Sequence, residues 1–193
     1  MIALRITEKK PMPNTQPGSA YFLEEHKETP VTHTFSVVVD NEPGVLARIA
    51  GLFSGRGYNI ESLTVSETEH AKHQSRFTIV TTGTPPVLAQ IKNQLERLVN
   101  VHRVIDLTVL GEPLERELAL IKVAGKGDKR IEALRMAEIF RANVIDASTE
   151  HFVFEITGRT SKIEQFIAIM MDLGLVEVSR TGIAAIARGA RGM

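Results

Sequence analysis

The sequence predicts an α+β fold built from two successive βαββαβ units. The chain has 193 residues, which is enough for two small domains. Apolar residues alternate with the period of a strand in some segments and recur with the period of a helix in others, and the same order of segments occurs twice. The halves share little residue identity, so the repeat is one of topology. An antiparallel four-stranded sheet with both helices on one face, the ferredoxin-like arrangement, satisfies this order.

The first unit is predicted over residues 33–110. Phe35, Val37 and Val39 alternate on one face of its first strand, and Gly55 or Gly57 ends its first helix. The predicted strands are 33–40, 58–66, 76–82 and 101–110, with Ile105, Leu107 and Val109 on one face of the last, and the predicted helices are 44–54 and 85–98.

The second unit is predicted over residues 118–193, after a charged linker at 111–117 that contains Pro113. Gly174 is expected to end its second helix. The predicted strands are 117–125, 143–147, 151–157 and 176–187, and the predicted helices are 128–142, with Ile131, Leu134, Ala137, Ile139 and Phe140 apolar, and 161–174, with Ile163, Phe166, Ile167 and Met170 inward.

The amino-acid composition restricts the classes of function open to this chain. The chain has 23 basic and 23 acidic residues, so bulk charge favours neither nucleic acid nor an acidic membrane surface as a partner. The absence of cysteine excludes disulfides and thiolate chemistry and suits a reducing compartment such as the cytoplasm. No apolar stretch is long enough to span a membrane. Residues 1–32 are proline-rich and lack the apolar core of a signal peptide, so we expect a flexible extension.

One face of the first sheet is predicted to be bare, because both helices pack on the other. Val38, Ile60 and Val80 are apolar although they fall outside the phase of the core positions. A one-sided sheet is a weak core by itself. We therefore expect a second copy of the chain to cover this face or its edge, as a homodimer.

The turn after the first strand is the strongest candidate site. Here Pro43 is predicted at the first helical position, which leaves the backbone N–H groups of Gly44, Val45 and Leu46 without helical partners. Gly44 also leaves room for a ligand. The start of a helix favours negative charge, so a carboxylate fits the turn.

Two further interpretations of this region remain open on the residues alone. Asp40 or Asn41 can cap the helix itself, which is the commoner use of such residues. Asn59 follows a Gly-Tyr pair at the start of the next strand, and its amide can hold both an ammonium and a carboxylate. The alternative for Asn59 is a turn residue that tolerates left-handed geometry.

Other motifs give weaker signals. His70 and His73, with Glu67 and Glu69, suggest a metal site, but two histidines in a polar loop are fewer than the ligands that metals require, so no metal is predicted. The segment GKGDKR at 125–130 lies between a strand and a helix but lacks the complete pattern of a nucleotide loop. We find no recognisable nucleophile context and no paired carboxylates, so no catalytic residue is predicted.

The segment DNEPGVLARIAGLFSGRGYNIESLTV, residues 40–65, closely resembles the ACT-domain signature of the small, regulatory subunit of acetohydroxyacid synthase, also called acetolactate synthase. The similarity continues through QLERLVNVHRVIDL, ERELALIKV, EIFRANVID and VEVSRTGIAAIARG. It covers about residues 33–190. The run RGYNIESL is much more specific than the general ACT turn.

This resemblance implies a non-catalytic subunit that activates a large catalytic subunit and confers feedback inhibition by valine on branched-chain amino acid synthesis. Thiamine diphosphate, Mg²⁺ and FAD are then expected in the catalytic partner, and no cofactor in this chain. The resemblance also implies that the effector lies between two ACT domains of a homodimer. The implied effector residues are Asn41, Gly44, Val45 and Leu46 of one chain with Asn59 and Ile60 of the other.

Two other classes of protein fit the sequence less well. An amino-acid-sensing transcription regulator can use the same fold, but it requires a DNA-reading helix-turn-helix and a basic stripe, which the neutral chain does not offer. A small stand-alone enzyme requires an acid, base or metal constellation that the sequence lacks.

Overall fold

The computed structural model describes residues 29–69, 73–190 and 192. Most of the predicted extension, residues 1–28, lies outside this range. A four-stranded and a five-stranded antiparallel sheet follow one another along the chain, and each packs two helices against one of its faces. The predicted α+β fold with two βαββαβ units is confirmed.

The first unit has the strand order β2-β3-β1-β4. Its core lies between the sheet and the helices, with Phe35, Phe53, Ile79 and Ile91 almost wholly buried. The elements are β1 (Val31–Asp40), α1 (Val45–Ser54), β2 (Ser62–Glu69), β3 (Gln74–Gly83), α2 (Pro85–Leu95) and β4 (Val101–Asp106).

The second unit has the strand order β6-β7-β5-β8, with a short ninth strand paired to the start of β5. Phe154, Ile163, Phe166 and Met170 form the centre of its core. The elements are β5 (Leu114–Val123), α3 (Asp128–Phe140), β6 (Asn143–Ala147), β7 (Phe152–Gly158), α4 (Thr160–Leu173), β8 (Leu175–Arg180) and β9 (Ala184–Ile186).

Several predicted boundaries are wrong for local reasons. β4 ends at Asp106, because the Asp106 carboxylate accepts the backbone N–H groups of Thr108 and Val109 and so forms a turn. Val109 is consequently 72% exposed rather than facing the core. Residues 114–117, predicted as linker, belong to β5, since Leu114–Arg116 pair with β9.

The predicted last strand is two strands. β8 pairs with the body of β5 and β9 with its beginning, and Gly182 between them has a φ of 79°. On α3, Ala133 and Ala137 face the core, whereas Ile131 and Ile139, predicted as part of its apolar set, are more than half exposed. The two glycine stops are confirmed: Gly57 and Gly174 both adopt left-handed conformations.

The face of the first sheet opposite the helices is partly covered by the chain's own C-terminal arm, which we define as residues Thr181–Arg188. The Ile183 N–H donates to Ser62 Oγ at 2.9 Å, and Thr64 Oγ1 donates to Thr181 O at 3.4 Å. The beginning of β5 contacts the same sheet, where Thr34 Oγ1 donates to Glu115 Oε1 at 2.6 Å. Val80 is only 5% exposed. The expectation of a second copy over this face or its edge is therefore wrong for the part of the face beneath the arm, and a second copy at the edge stays a prediction. Ile60 packs against the first core.

No helix in the described ranges is long and apolar enough to cross a membrane.

Candidate functional site

The turn between β1 and α1 is open to solvent and presents unpaired backbone donors. Helix α1 begins at Val45, and Gly44 is its N-cap residue with a φ of 89°. Pro43 therefore precedes the cap and is not the first helical residue, as was predicted. The Gly44 and Leu46 N–H groups have no acceptor among the described residues, while the Val45 N–H makes a long bond of 3.4 Å to Glu42 O.

Glycine suits this position because of its backbone conformation. A φ near 90° is disfavoured for residues with a side chain. In addition, a Cβ placed on Gly44 would have no heavy atom within 4 Å, so the space above the turn is empty. No side chain caps the helix, which removes the alternative that Asp40 or Asn41 does so. The donors of the first turn are consequently available to a ligand.

The turn is held in place from both neighbouring strands. The Asn41 N–H donates to His73 O at 2.7 Å, just before β3, and the Asp40 N–H donates to Asn100 O at 3.0 Å, just before β4. The Asn100 side chain also donates to Glu42 Oε2 at 3.0 Å and accepts from Arg48. These contacts fix the backbone of the turn before any ligand binds.

Two acidic residues flank the turn in the sequence, Asp40 at the end of β1 and Glu42 within the turn itself. Asp40 Oδ1 is 2.5 Å from His102 Nε2, and Glu42 is exposed and bonded only to Asn100 among the described residues. A site with backbone donors next to carboxylates suits a zwitterion, because the donors bind its carboxylate and the acids attract its ammonium. Leu46 is 49% exposed and offers an apolar surface at the same place.

The other predicted site residues lie at the far end of α1. Asn59 is exposed, and its carbonyl accepts from the buried Thr81 Oγ1 at 2.6 Å, so its backbone is fixed while its amide side chain is accessible. Gly44 precedes the ten-residue helix α1 and Asn59 follows it. The helix is about 15 Å long, so within one chain the turn and Asn59 do not form one site.

Strand β2, which follows Asn59 and Ile60, is an edge of the first sheet. It pairs with β3 on one side, and no described strand pairs with its other side. Val65 in this strand is 44% exposed. An edge of this kind is a ready surface for pairing with another chain.

The weaker motifs gain no support. His70 lies outside the described residues, and the described ones contain no cluster of three or more metal-ligating side chains. In the segment at 125–130, Lys129 Nζ donates to Asp172 O at 2.9 Å, and Arg130 donates to Ser148 O and stacks on Phe152 at 3.8 Å. Both cations thus tie α3 to its neighbours instead of facing a loop ligand.

Sequence reasoning missed the residues that hold the turn, Asn100 and His73, and the acidic partner Glu42. Glu42 is visible in the motif itself, as the third residue of Asp-Asn-Glu. Asn100 and His73 act through strand pairing, so only their positions immediately before two predicted strands could have indicated them.

A ferredoxin-like domain whose first strand-to-helix turn offers free backbone donors, followed by a second domain of the same topology, defines a regulatory protein of the ACT-domain class. The similarity of this chain to known protein families agrees with that assignment. Residues 35–103 match the family described as the AHAS small subunit-like ACT domain, and residues 116–189 match the family described as the small subunit of acetolactate synthase. The chain belongs to the family of acetolactate synthase small subunits.

Individual relatives are similar over nearly their whole length. The probable acetolactate synthase small subunit of Archaeoglobus fulgidus is 45% identical over 157 residues, which cover 81% of this chain and 97% of that protein. The acetolactate synthase isozyme 3 small subunit of Escherichia coli is 44% identical over 155 residues, covering 80% and 94%. The crystal structure of the Thermotoga maritima small subunit is 41% identical, covers 83% and 99%, and superposes with a TM-score of 0.76.

Proposed function

We propose that this chain is the non-catalytic regulatory subunit of acetolactate synthase, that it activates the large catalytic subunit, and that it senses valine as the feedback inhibitor of branched-chain amino acid synthesis. Its site of action is the cytoplasm. Thiamine diphosphate, Mg²⁺ and FAD chemistry belongs to the catalytic partner. A transcription regulator, the alternative on sequence grounds, is not supported by the family to which the chain belongs.

The observation that carries the proposal is the open turn with Gly44 at its centre. The Gly44 and Leu46 N–H groups, with the Val45 N–H close by, bind the α-carboxylate of the effector, and Asn41 lies beside them. The exposed Leu46 side chain suits the branched apolar side chain of valine. Glu42 stands where it attracts the ammonium group.

The effector site is proposed to be shared between two chains. Asn59 and Ile60 lie at the start of the edge strand β2, about one helix length from Gly44 in the same chain. A two-fold dimer through the β2 edges runs the two strands antiparallel. The Asn59 end of one chain then approaches the turn of the other, and the dimer has two equivalent sites.

Complementation between two defective variants tests this arrangement. Gly44→Asp damages the turn and Asn59→Ala damages the opposite half, so neither homodimer should bind valine well. In a dimer of one Gly44→Asp chain and one Asn59→Ala chain, one site carries both defects and the other carries none. After unfolding and refolding an equal mixture, calorimetric titration should recover roughly a quarter of the wild-type sites with wild-type affinity, given random assortment into isologous dimers.

No recovery in refolded mixtures that are verified to contain mixed dimers would show that each site is made by one chain. The regulatory role needs a separate assay, because binding alone does not establish it. Adding the chain to purified catalytic subunit with pyruvate should raise the rate of acetolactate formation, and valine should lower it again. A chain that binds the catalytic subunit without changing its rate would contradict the proposal.

A further inference from the structure

The open face of the first sheet carries two arginines on either side of a valine. Val38 of β1 pairs with Arg76 of β3 on one side and with Arg103 of β4 on the other. Directly paired residues point to the same face, and adjacent strands are about 4.8 Å apart, so the two arginine Cα atoms are roughly 10 Å apart. Both guanidinium groups are therefore within reach of the space above Val38.

That space is a cavity of about 590 Å³ between the sheet and the C-terminal arm. Arg76 and Arg103 line it from the sheet, and Arg188 lines it from the arm, with Ser36, Ile105 and Leu107 forming part of the floor. Its volume falls within the range of small-molecule sites. Because the arm forms its roof, a small molecule fits the cavity better than a segment of another protein.

The charges around this cavity are not neutralised by described residues. Arg76 Nε is shielded from solvent and has no hydrogen-bond partner there, and Arg103 has no ion pair in the same ranges. Arg188 donates its Nε–H to a neutral acceptor, the backbone carbonyl of Glu112, at 2.9 Å. The next residue along β1 on this face, Asp40, is bonded to His102.

A shielded guanidinium N–H without an acceptor is unfavourable, and so is the approach of several like charges. The chain as a whole has no net charge, so this local excess is a property of the face and not of the composition. A bound anion supplies the missing acceptor and offsets the repulsion. Phosphate and carboxylate groups match the fork of donors on arginine.

We propose that the cavity between Arg76, Arg103 and Arg188 binds a compact small molecule with two or more negative charges, either phosphate-bearing or polycarboxylate. This site is separate from the turn at Gly44 and does not depend on the effector. Since Arg188 belongs to the arm and the other two arginines to the sheet, the anion links the C-terminal arm to the first domain.

Calorimetric titration of the full chain with pyrophosphate and, separately, with citrate tests the site in metal-free buffer. One probe or both should bind with one site per chain, and the tighter of the two assigns the anion as phosphate-bearing or polycarboxylate. Arg103→Met should weaken that binding about tenfold or more, because it removes a charged hydrogen-bonding group. Arg103→Lys keeps the charge but not the fork, so an intermediate loss is expected.

The matched control is Arg97→Met. Arg97 is exposed beyond the end of α2 and is absent from the cavity lining, so it removes the same charge elsewhere. The control should bind like the wild type. Equal weakening in both methionine variants, or no binding of either probe by the wild type at millimolar concentration, would overturn the proposal. So would unaltered anion binding in Arg103→Met accompanied by loss of catalytic-subunit binding, which would assign the arginines to a protein interface.

Discussion

Replacing Gly44 by aspartate and, separately, by asparagine distinguishes the effect of charge from the effect of backbone strain at the turn. The two side chains have nearly the same size, and both are tolerated at positive φ better than other residues are. Only aspartate adds a negative charge where the carboxylate of the effector is expected. Any difference between the two variants is then a difference of charge.

The backbone conformation of the turn sets the expected loss of unfolding free energy in both variants. Gly44 has a φ of 89°, and a left-handed residue with a Cβ costs about 1–2 kcal/mol. No steric term is added, because a Cβ there meets nothing within 4 Å. Both variants should therefore lose about the same 1–2 kcal/mol in urea unfolding and remain folded, given typical stabilities of about 5–15 kcal/mol.

The affinity loss should differ. Two like charges 4 Å apart repel by about 1 kcal/mol in bulk water and about 4 kcal/mol near a protein surface. The turn is exposed, so we expect a value between these limits, which corresponds to valine affinity about ten- to a hundredfold weaker in Gly44→Asp than in Gly44→Asn. Higher salt should narrow the gap.

Valine titration by calorimetry, with urea unfolding of the same preparations, measures both quantities. Equal valine affinities in two folded variants would mean that the carboxylate of the effector does not lie at the turn. If activation of the catalytic subunit survives in Gly44→Asp while valine inhibition is lost, the activating surface lies elsewhere on the chain. Loss of both together would place them on one surface.

Three further predictions concern the second domain and its contacts. Gly182→Ala adds a Cβ 2.8–2.9 Å from two hydroxyl groups of β2 at a positive φ, so faster amide exchange should be seen in the C-terminal arm. Glu117→Gln removes the buried carboxylate that accepts two hydrogen bonds from Arg180 at 2.6 and 2.7 Å. The free energy of unfolding in urea should fall by about 2–4 kcal/mol. An unchanged value would show that the pair contributes no net stability. The hydrogen bond from Lys122 lowers the pKa of Glu177, so this pair contributes stability above the ordinary glutamate value of about 4.3 and loses it as the pH falls through the lowered pKa. The difference in melting temperature between wild type and Lys122→Met should accordingly disappear in acid, and a difference that grows in acid would contradict the assignment.

The sequence predicted the core because periodicity reports burial directly. The buried set on α4, Ile163, Phe166 and Met170, follows from helical spacing alone. On α3 the same reasoning was right for Leu134, Ala137 and Phe140, which lie in the core or pack against it. It was wrong for Ile131 and Ile139, and it missed the small buried residue Ala133. Small residues give a weak periodic signal, so the larger but exposed isoleucines on the same helix dominated the pattern.

The first strand-to-helix turn was predicted as a ligand site, but its conformation was not. A proline followed by a glycine is compatible with a helix that begins at either residue, and only the backbone shows that Gly44 is the cap. The supports of the turn, Asn100 and His73, depend on which strands neighbour β1. The C-terminal arm was missed for a related reason, because nothing in a single strand-like stretch reveals that it crosses to another domain.

The position of the arm has a consequence for biosynthesis. Residues 181–188 are made after the whole of the first domain, yet they cover a face of that domain. At about 5–20 residues per second, the first sheet emerges several seconds before its cover is synthesised. During that interval Val80 and its neighbours are exposed on a nascent chain. A ribosome that stalls within the second domain therefore leaves a folded but aggregation-prone first domain, to which chaperones can bind.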